Sequence, residues 1–586
     1  MAGGRGRPPG SHPPTPHRPP VVFASLRAYD RTWLRADVLA GATVWAVLVP
    51  EAFAYASIAG VPPVVGLYAA VPALVAYAAF GSSRHLVVGP MSATAALSGA
   101  AIASLQPAST ADFVMLTSAL ALVTGVVGVL AGLLRMGFLA GFVSEPVLKG
   151  FIVGLALTII IGQVPKLLGQ DGGGDDFFGQ VAHVLSHLGD VDPLTAAVGG
   201  AALLALIGLK RWAPGVPASL AVVLLGILVV HVAGWSDRID VVGQIESGLP
   251  SVGLPSRELS DYTALLAPAA GVLLVGFAEG LGAAKTYAVR EGYDIDADRE
   301  LLGLGAANLG SGLASGMVVN GSLSKTAVNG ASGARSQVSG LVVAALSVIT
   351  LLFLTGLFEE LPDAVLAAVV IAAVAELVDV RAFLTLFRVW STRLQGTYGL
   401  AARSDFAAAV AAAVGVLVFD TLPGLVLGIV VSLLLLLLRS SRPGVRRLAE
   451  VDGIWIDASR VPAVDGPTDV VVVRVESGLF FANADHVRAR LRALVGPTCR
   501  TLVLDAQTTP FIDITAAHML DELAVTLDRS GVRLAIAGDI GQVRDVIRGA
   551  AEDGKVTPTL YRTVDDAIAA SAGPGAGPGF GSGPAA

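Results

Sequence analysis

One cysteine, Cys499, in 586 residues leaves no internal disulfide framework and no cysteine-based zinc site. Charge is scarce as well: 15% of the chain is charged, against roughly 25% for a soluble domain. With 54% hydrophobic residues and a mean hydropathy of +0.71, a wholly soluble protein is excluded. A basic excess is also missing, since 39 Lys and Arg face 46 Asp and Glu for a net charge of −7. That argues against a nucleic-acid partner, which needs a cationic face to neutralise phosphates. No Gly-x-x-x-x-Gly-Lys-Ser/Thr run is present, and the intramembrane charges lack a nucleophile and base beside them. ATP-driven transport and catalysis are therefore not expected, and nothing calls for a cofactor or a metal. Residues 1–25 carry Pro8, Pro9, Pro13, Pro14, Pro16, Pro19 and Pro20 and lack the apolar core of a signal peptide. They are expected to be a disordered tail, like the Gly/Pro-rich stretch 572–586.

What the chain has is 69 glycines and 32 prolines scattered among apolar blocks, a composition that suits broken membrane helices. Over residues 26–440 the blocks follow one another with short interruptions, many near the ~20 residues that cross a hydrocarbon core. This predicts a polytopic, mainly α transmembrane domain of about 14 segments. Arg84, Arg135, Lys210, Arg211, Arg290, Arg299, Arg335, Arg381, Arg388, Arg393 and Arg403 fall in one set of connections. Acidic residues such as Asp112, Asp171, Asp190, Asp240, Glu359 and Asp363 fall in the other. By the positive-inside rule, both termini are expected in the cytoplasm, with the protein in the inner (plasma) membrane. Near residue 440 the composition turns normal for a soluble domain, and Arg439, Arg442, Arg446 and Arg447 read as the anchor of a membrane exit. Strands over 470–475, 501–505 and 532–537 and helices over 484–495, 514–529 and 542–549 predict a small cytoplasmic α/β domain at 446–571.

The membrane region has two similar halves. In each, an acidic residue is followed roughly 40 residues later by a Gly/Pro-type break: Glu51 then Gly89-Pro90, and Glu279 then Asn320-Gly321. Such matched interruptions mark inverted-repeat transporters, where half-helix N-termini meet near the midplane and favour an anion. Glu51, Glu279 and Lys325 are the ionisable residues that stand out within the apolar region, each costing roughly 2.5 to 3.5 kcal/mol unless it faces a cavity or partner. They are the candidate site. The competing reading is a Glu279–Lys325 ion pair that merely fixes packing. Separately, a segment broken at Pro50 would lift Glu51 into water. Other signals have blander explanations. His183 and His187 lack a third ligand and read as a solvated turn or amphipathic helix. Gly276, Gly280, Gly303 and Gly310 suit close helix packing. Asp505, Asp513 and Thr515 suit loop and helix-cap roles.

The run Val49-Pro50-Glu51-Ala52-Phe53-Ala54-Tyr55-Ala56, with Ala59-Gly60-Val61-Pro62-Pro63, Gly66-Leu67-Tyr68, Phe80-Gly81-Ser82-Ser83-Arg84-His85 and Val88-Gly89-Pro90, closely resembles the signature of SulP/SLC26 anion transporters. Ala307-Asn308 and Gly321-Ser322-Leu323-Ser324-Lys325-Thr326-Ala327-Val328-Asn329 resemble that family's anion-binding segment. Leu479-Phe480-Phe481-Ala482-Asn483-Ala484, Leu504-Asp505 and Phe511-Ile512-Asp513-Ile514-Thr515 resemble a STAS domain. The resemblance implies a seven-plus-seven inverted repeat with core and gate domains, and a homodimer. It also implies substrate contacts from Glu51, Tyr55, Met91, Ser92, Ser324 and Lys325, with coupling at Glu279. Two positions depart from the family's usual pattern, Glu51 where Gln is common and Lys325 where Arg is common. Lysine lacks the bidentate fork that suits sulfate. The expected function is secondary active transport of a small inorganic or carboxylate anion across the lipid bilayer. Sulfate with proton coupling leads. Bicarbonate or dicarboxylate transport, with protons or Na⁺, and a membrane-anchored STAS regulator are the alternatives.

Overall fold

The computed structural model describes residues 22–572 apart from 24–25, 27–28, 143, 175, 214, 246, 257, 377, 392–396, 420, 462–468, 539–540 and 551–556. The expected terminal tails thus lie almost wholly outside the described residues. The chain divides into two compact units, 1–385 with 407–431, and 386–406 with 432–586.

In the first half of the membrane region, α1 (Leu34–Ile58), α2 (Val64–Phe80), strand β1 (Val87–Gly89), α3 (Ser92–Ala103), α4 (Thr110–Leu133) and α5 (Glu145–Leu168) precede the short α6 (Phe177–Ser186). Helices α7 (Pro193–Trp212) and α8 (Ala218–Ala233) complete it. After a one-turn α9 (Leu259–Ala264), the second half runs α10 (Leu266–Glu291), α11 (Ala297–Leu313), β2 (Asn320–Ser322), α12 (Leu323–Ala331), α13 (Val338–Ile349) and α14 (Asp363–Ala375). It ends with α15 (Val380–Ser391), α16 (Thr397–Phe419) and α17 (Thr421–Ser441). Among the described residues, 7 helices are long and apolar enough to span a membrane. Five shorter apolar helices and the less apolar α11 and α12 bring the set to the fourteen foreseen. The expected amphipathic alternative holds for α6, where the His183 and His187 rings stack 4.1 Å apart.

Helices α1 to α4 pack with α10 to α13, and α5, α7 and α8 pack with α14. Small residues allow these approaches. A Cβ on Gly305 of α11 would fall 2.5 Å from the Val129 nitrogen of α4, and one on Gly125 of α4 would fall 2.4 Å from the Leu309 nitrogen. With no hydrophobic effect between helices in lipid, backbone-to-backbone closeness supplies the dispersion contacts that hold them. Gly303 and Gly310 do the same work against Gly81 and Pro72.

The break at Pro50 does not occur. Helix α1 continues through it, and Glu51 is buried rather than lifted into water. Proline removes one helical donor, yet tight packing of Leu48, Val49, Ala52 and Phe53 on the helix keeps the backbone in register.

In the second unit a six-stranded sheet has the order β4-β3-β5-β6-β7-β8, formed by β3 (Val445–Val451), β4 (Ile454–Asp457), β5 (Val470–Val475), β6 (Thr501–Asp505), β7 (Arg533–Ala537) and β8 (Thr559–Tyr561). Strands β5 to β8 are parallel, and their near-continuous apolar runs are covered on both faces. Helices α18 (Ala484–Leu494), α19 (Ile514–Asp528) and α20 (Gly541–Ala550) share one core, while Val564 and Ala567 of α21 (Val564–Ala572) close the other. Arg446 and Arg447, expected as membrane anchors, belong to β3 instead. Arg446 pairs in register with Arg474, and the like charges are offset by Asp457 and Asp505 respectively. Asp513 caps α19 by accepting from the Ala516 N–H, which leaves Thr515 exposed in the first turn.

Candidate functional site

Two half-helices meet at the centre of the membrane region. Each follows a three-residue strand, and β1 pairs antiparallel with β2, Val87 to Ser322, Val88 to Gly321 and Gly89 to Asn320. The pairing sets the starts of α3 and α12 side by side. Helix α3 begins after an extended Met91 with no side-chain cap, and its first helical bond is Ala95 N–H to Met91 O. The N–H groups of Ser92, Ala93 and Thr94 therefore have no carbonyl partner within the helix and present the positive end of its dipole. At α12, Ser322 is the cap, and its Oγ accepts from the Lys325 N–H at 3.2 Å.

Lys325 is almost wholly buried, at 1% exposure, and its ammonium joins the two starts. It lies 2.7 Å from Glu51 Oε2, donates to the Pro90 carbonyl just before α3 at 3.4 Å, and stands 4.9 Å from the Tyr55 ring centroid. An ammonium has three hydrogens, and a carboxylate, a carbonyl and an aromatic face engage it here. The Tyr55 hydroxyl, one helical turn beyond Glu51, donates to the same carboxylate oxygen at 3.3 Å. Met91 and Ser92 are buried at the α3 start, and Ser324 is exposed at the α12 start with its Oγ 3.2 Å from that of Ser322. Five of the residues read from the sequence are thus gathered around or beside Lys325: Glu51, Tyr55, Met91, Ser92 and Ser324.

Glu279 stands apart. The Glu279–Lys325 ion pair is not formed; the lysine pairs with Glu51, because α1 rather than α10 brings a carboxylate to the ammonium. Helix α10 packs on β2 through Gly276 and Gly280, where an added Cβ would come within 3.1 Å of the Asn320 side chain. The Glu279 Oε2 and the Asn320 Nδ2 are both buried without a hydrogen-bond partner among the described residues. Two orphaned polar atoms on adjoining elements are costly in a membrane interior, and they mark a polar spot beside the half-helix crossing.

Of the residues that brace this crossing, Glu300, Gln337 and Asp37 were not singled out by the sequence, and Asn308, Thr326 and Asn329 only as parts of the segment that resembles the family's. Glu300 of α11 accepts from Tyr77 Oη, Ser82 N and Oγ, and Ser83 N, all within 2.9 Å, and so ties the loop before β1 to α11. Asn308 bonds Leu304 O and Val319 O and N, fixing the approach to β2. Thr326 Oγ1 accepts from Val87 N, Asn329 donates to His85 O, and Gln337 donates to Ser83 O and Leu86 O. Asp37 holds the start of α13 through Arg335 N and Ser336. Glu300 lies in a charged stretch, Asp296 to Glu300, that reads as solvated loop, so only the tertiary fold reveals it.

A membrane region of paired half-helices with a buried cation between their N-termini, followed by a STAS-type α/β unit, is the architecture of an anion-transport protein. Residues 34–395 match the Sulfate permease family, and residues 461–567 match the STAS domain. The chain belongs to the sulfate permease (SulP/SLC26) family, whose members are transporters rather than enzymes. A Mycobacterium tuberculosis protein named "Probable sulfate transporter" is 35% identical over 552 residues, covering 93% of this chain and 96% of its own. The structure of the murine Solute Carrier 26 family member A9 anion transporter in the inward-facing state superimposes with a TM-score of 0.83 at 22% identity, over 94% of both chains. The transmembrane domain of a cyanobacterial bicarbonate transporter, BicA, gives 0.58 at 23% identity, over 68% of this chain and 98% of its own.

Proposed function

We propose that this protein moves sulfate across the plasma membrane by alternating access, in symport with protons. The observation that carries the reading is the Lys325 ammonium lodged between two helix starts, one of them uncapped. A small oxyanion there would gain backbone N–H donors from α3, the dipoles of both half-helices and a nearby cation, which together suit an anion with several acceptor oxygens. Relatives named as sulfate transporters across nearly the whole chain favour sulfate. Substrate contacts are assigned to Glu51, Tyr55, Met91, Ser92, Ser324 and Lys325.

The Glu51–Lys325 pair supports the involvement of a proton. An incoming anion competes with the Glu51 carboxylate for the same ammonium, and placing a dianion beside an ionised glutamate in low dielectric is strongly repulsive. A proton taken up with the anion removes that repulsion and makes the net movement of charge smaller. Glu279, a half-buried carboxylate beside β2 whose Oε2 has no hydrogen-bond partner among the described residues, is assigned the proton that drives accumulation. Both termini lie in the cytoplasm in this reading, with the protein a homodimer.

Bicarbonate is the second reading. A lysine offers a point charge where a planar fork would favour a tetrahedral oxyanion, and the fold is shared with a bicarbonate transporter. Uptake of a panel of labelled anions into proteoliposomes decides between them. Sulfate uptake that rises with an inward proton gradient and persists without Na⁺ supports the first reading. Bicarbonate uptake with no sulfate uptake replaces it.

A further inference from the structure

A groove of about 530 Å³ opens on the surface of the membrane region, between α8 and the 3-10 turn Thr355–Phe358 that follows α13. Its size falls within the roughly 300–1,000 Å³ of small-molecule sites. No residue of the proposed anion site lines it.

Both walls turn from apolar to ionic in the same direction. On α8, Leu224, Ile227 and Leu228 line the groove, and His231 follows one turn further along the same helix face. On the other wall Leu357 comes before Glu359 and Glu360. The ionic ends of the two walls meet, with His231 Nδ1 lying 2.8 Å from Glu360 Oε2. Glu359 is half-buried and makes no ion pair among the described residues. The apolar span Val338–Phe358 ends immediately before Glu359, so the ionic end lies at one edge of the bilayer and the leucines face acyl-chain depth.

These two ends call for an amphiphile of defined chemistry. Leu224, Leu228 and Leu357 are 38%, 57% and 47% exposed, an apolar floor that takes a hydrocarbon chain rather than water. Two carboxylates stand against one imidazole at the ionic end, which favours a cationic head with N–H groups to donate. The ammonium of an ethanolamine head has three such hydrogens. A choline head has none, and a glycerol head leaves only the anionic phosphate.

We propose that this groove binds phosphatidylethanolamine, with an acyl chain along Leu224, Leu228 and Leu357 and its ammonium donating to Glu359.

The test uses purified full-length protein, stripped of lipid in detergent and titrated with phosphatidylethanolamine, phosphatidylcholine or phosphatidylglycerol of equal chain length. Retained lipid is counted by native mass spectrometry. Phosphatidylethanolamine should be retained best and phosphatidylglycerol least. Glu359→Gln should lower retention of phosphatidylethanolamine roughly 10-fold, the loss expected for a charge-assisted hydrogen bond, and bring it level with phosphatidylcholine. Leu228→Gln should weaken retention of both. O-phosphoethanolamine, the soluble headgroup fragment, should not displace the lipid. Equal retention of phosphatidylethanolamine and phosphatidylcholine by the unaltered protein overturns the proposal, as does a Glu359→Gln variant that keeps the preference. Displacement by O-phosphoethanolamine also overturns it, by making the site one for a soluble amine. A preference carried by the monomer peak and absent from the dimer peak gives the groove to a second copy and overturns it too. If Glu359→Gln does not survive purification, N-acetylated phosphatidylethanolamine, which lacks the charge, decides on the unaltered protein, and its normal retention is then the overturning result.

Discussion

The Nζ of Lys325, in the first turn of α12, lies 2.7 Å from Glu51 Oε2 in the middle of α1, with both side chains at most 10% exposed. Helix α12 therefore carries the cation and α1 carries its counter-ion, so neither segment alone makes a neutral site. Charge balance at the centre depends on α1 and α12 staying together.

Removing one partner strands the other. Lys325→Ala leaves the Glu51 carboxylate buried without its cation and should cost about 3–5 kcal/mol of stability, read as a lowered thermal unfolding temperature in detergent. Adding Glu51→Gln should restore most of that stability. Anion affinity should stay about 10- to 150-fold below the unaltered protein in both variants, the loss expected for a charge-assisted hydrogen bond of roughly 1.5 to 3 kcal/mol. Full recovery of affinity in the double variant would mean that the lysine only balances charge.

The proposed mechanism makes coupling separable from binding. Glu279→Gln keeps the shape of the side chain and removes its charge, so exchange of internal for external anion should persist while accumulation driven by a pH gradient is lost. Gradient-driven accumulation at the original rate would move the coupling role to Glu51, and the same assay on Glu51→Gln would locate it.

Helix approach at α4 and α11 leaves no room for a methyl group. Gly305→Ala should destabilise by roughly 1–3 kcal/mol, because its Cβ would meet the α4 backbone rather than a movable side chain. Gly282→Ala, where a Cβ meets nothing within 4 Å, should leave the unfolding temperature unchanged.

Topology can be read with thiol chemistry. Cys499 is 6% exposed, and burial pushes its thiol above the ordinary value of 9.0, so at neutral pH it stays protonated and shielded. An exposed thiol placed by Arg490→Cys should then dominate labelling by an impermeant maleimide, and only after cells are permeabilised. Labelling of that variant in intact cells would reverse the orientation. Background reaction at Cys499 should grow only as pH rises well into the alkaline range.

Much of this molecule was legible in its sequence, for identifiable reasons. Strands β5 and β6 fall where apolar runs of β-branched residues end at polar loops, and the two broken segments were marked by Gly89-Pro90 and Asn320-Gly321. What escaped was governed by partners distant in sequence. Two glutamates competed for one lysine, and spacing along the chain does not say which helix brings its carboxylate to the cation. Pro50 looked like a helix end, yet lateral packing of Ala52 and Phe53 carries α1 through it. The arginines of β3 read as membrane anchors because their register against Arg474 and the compensating Asp457 and Asp505 appears only in the sheet.

The three-residue ladder between β1 and β2 has a mechanical consequence. Backbone hydrogen bonds weld the starts of α3 and α12 into one solid, so they cannot part like the jaws of a clamp. Under the alternating access proposed above, an ion held between them would travel as cargo on a rigid carriage, with the same ligands at departure and arrival. In that reading the direction of net flow would be set by the gradients across the membrane and not by any ratchet in the binding groups.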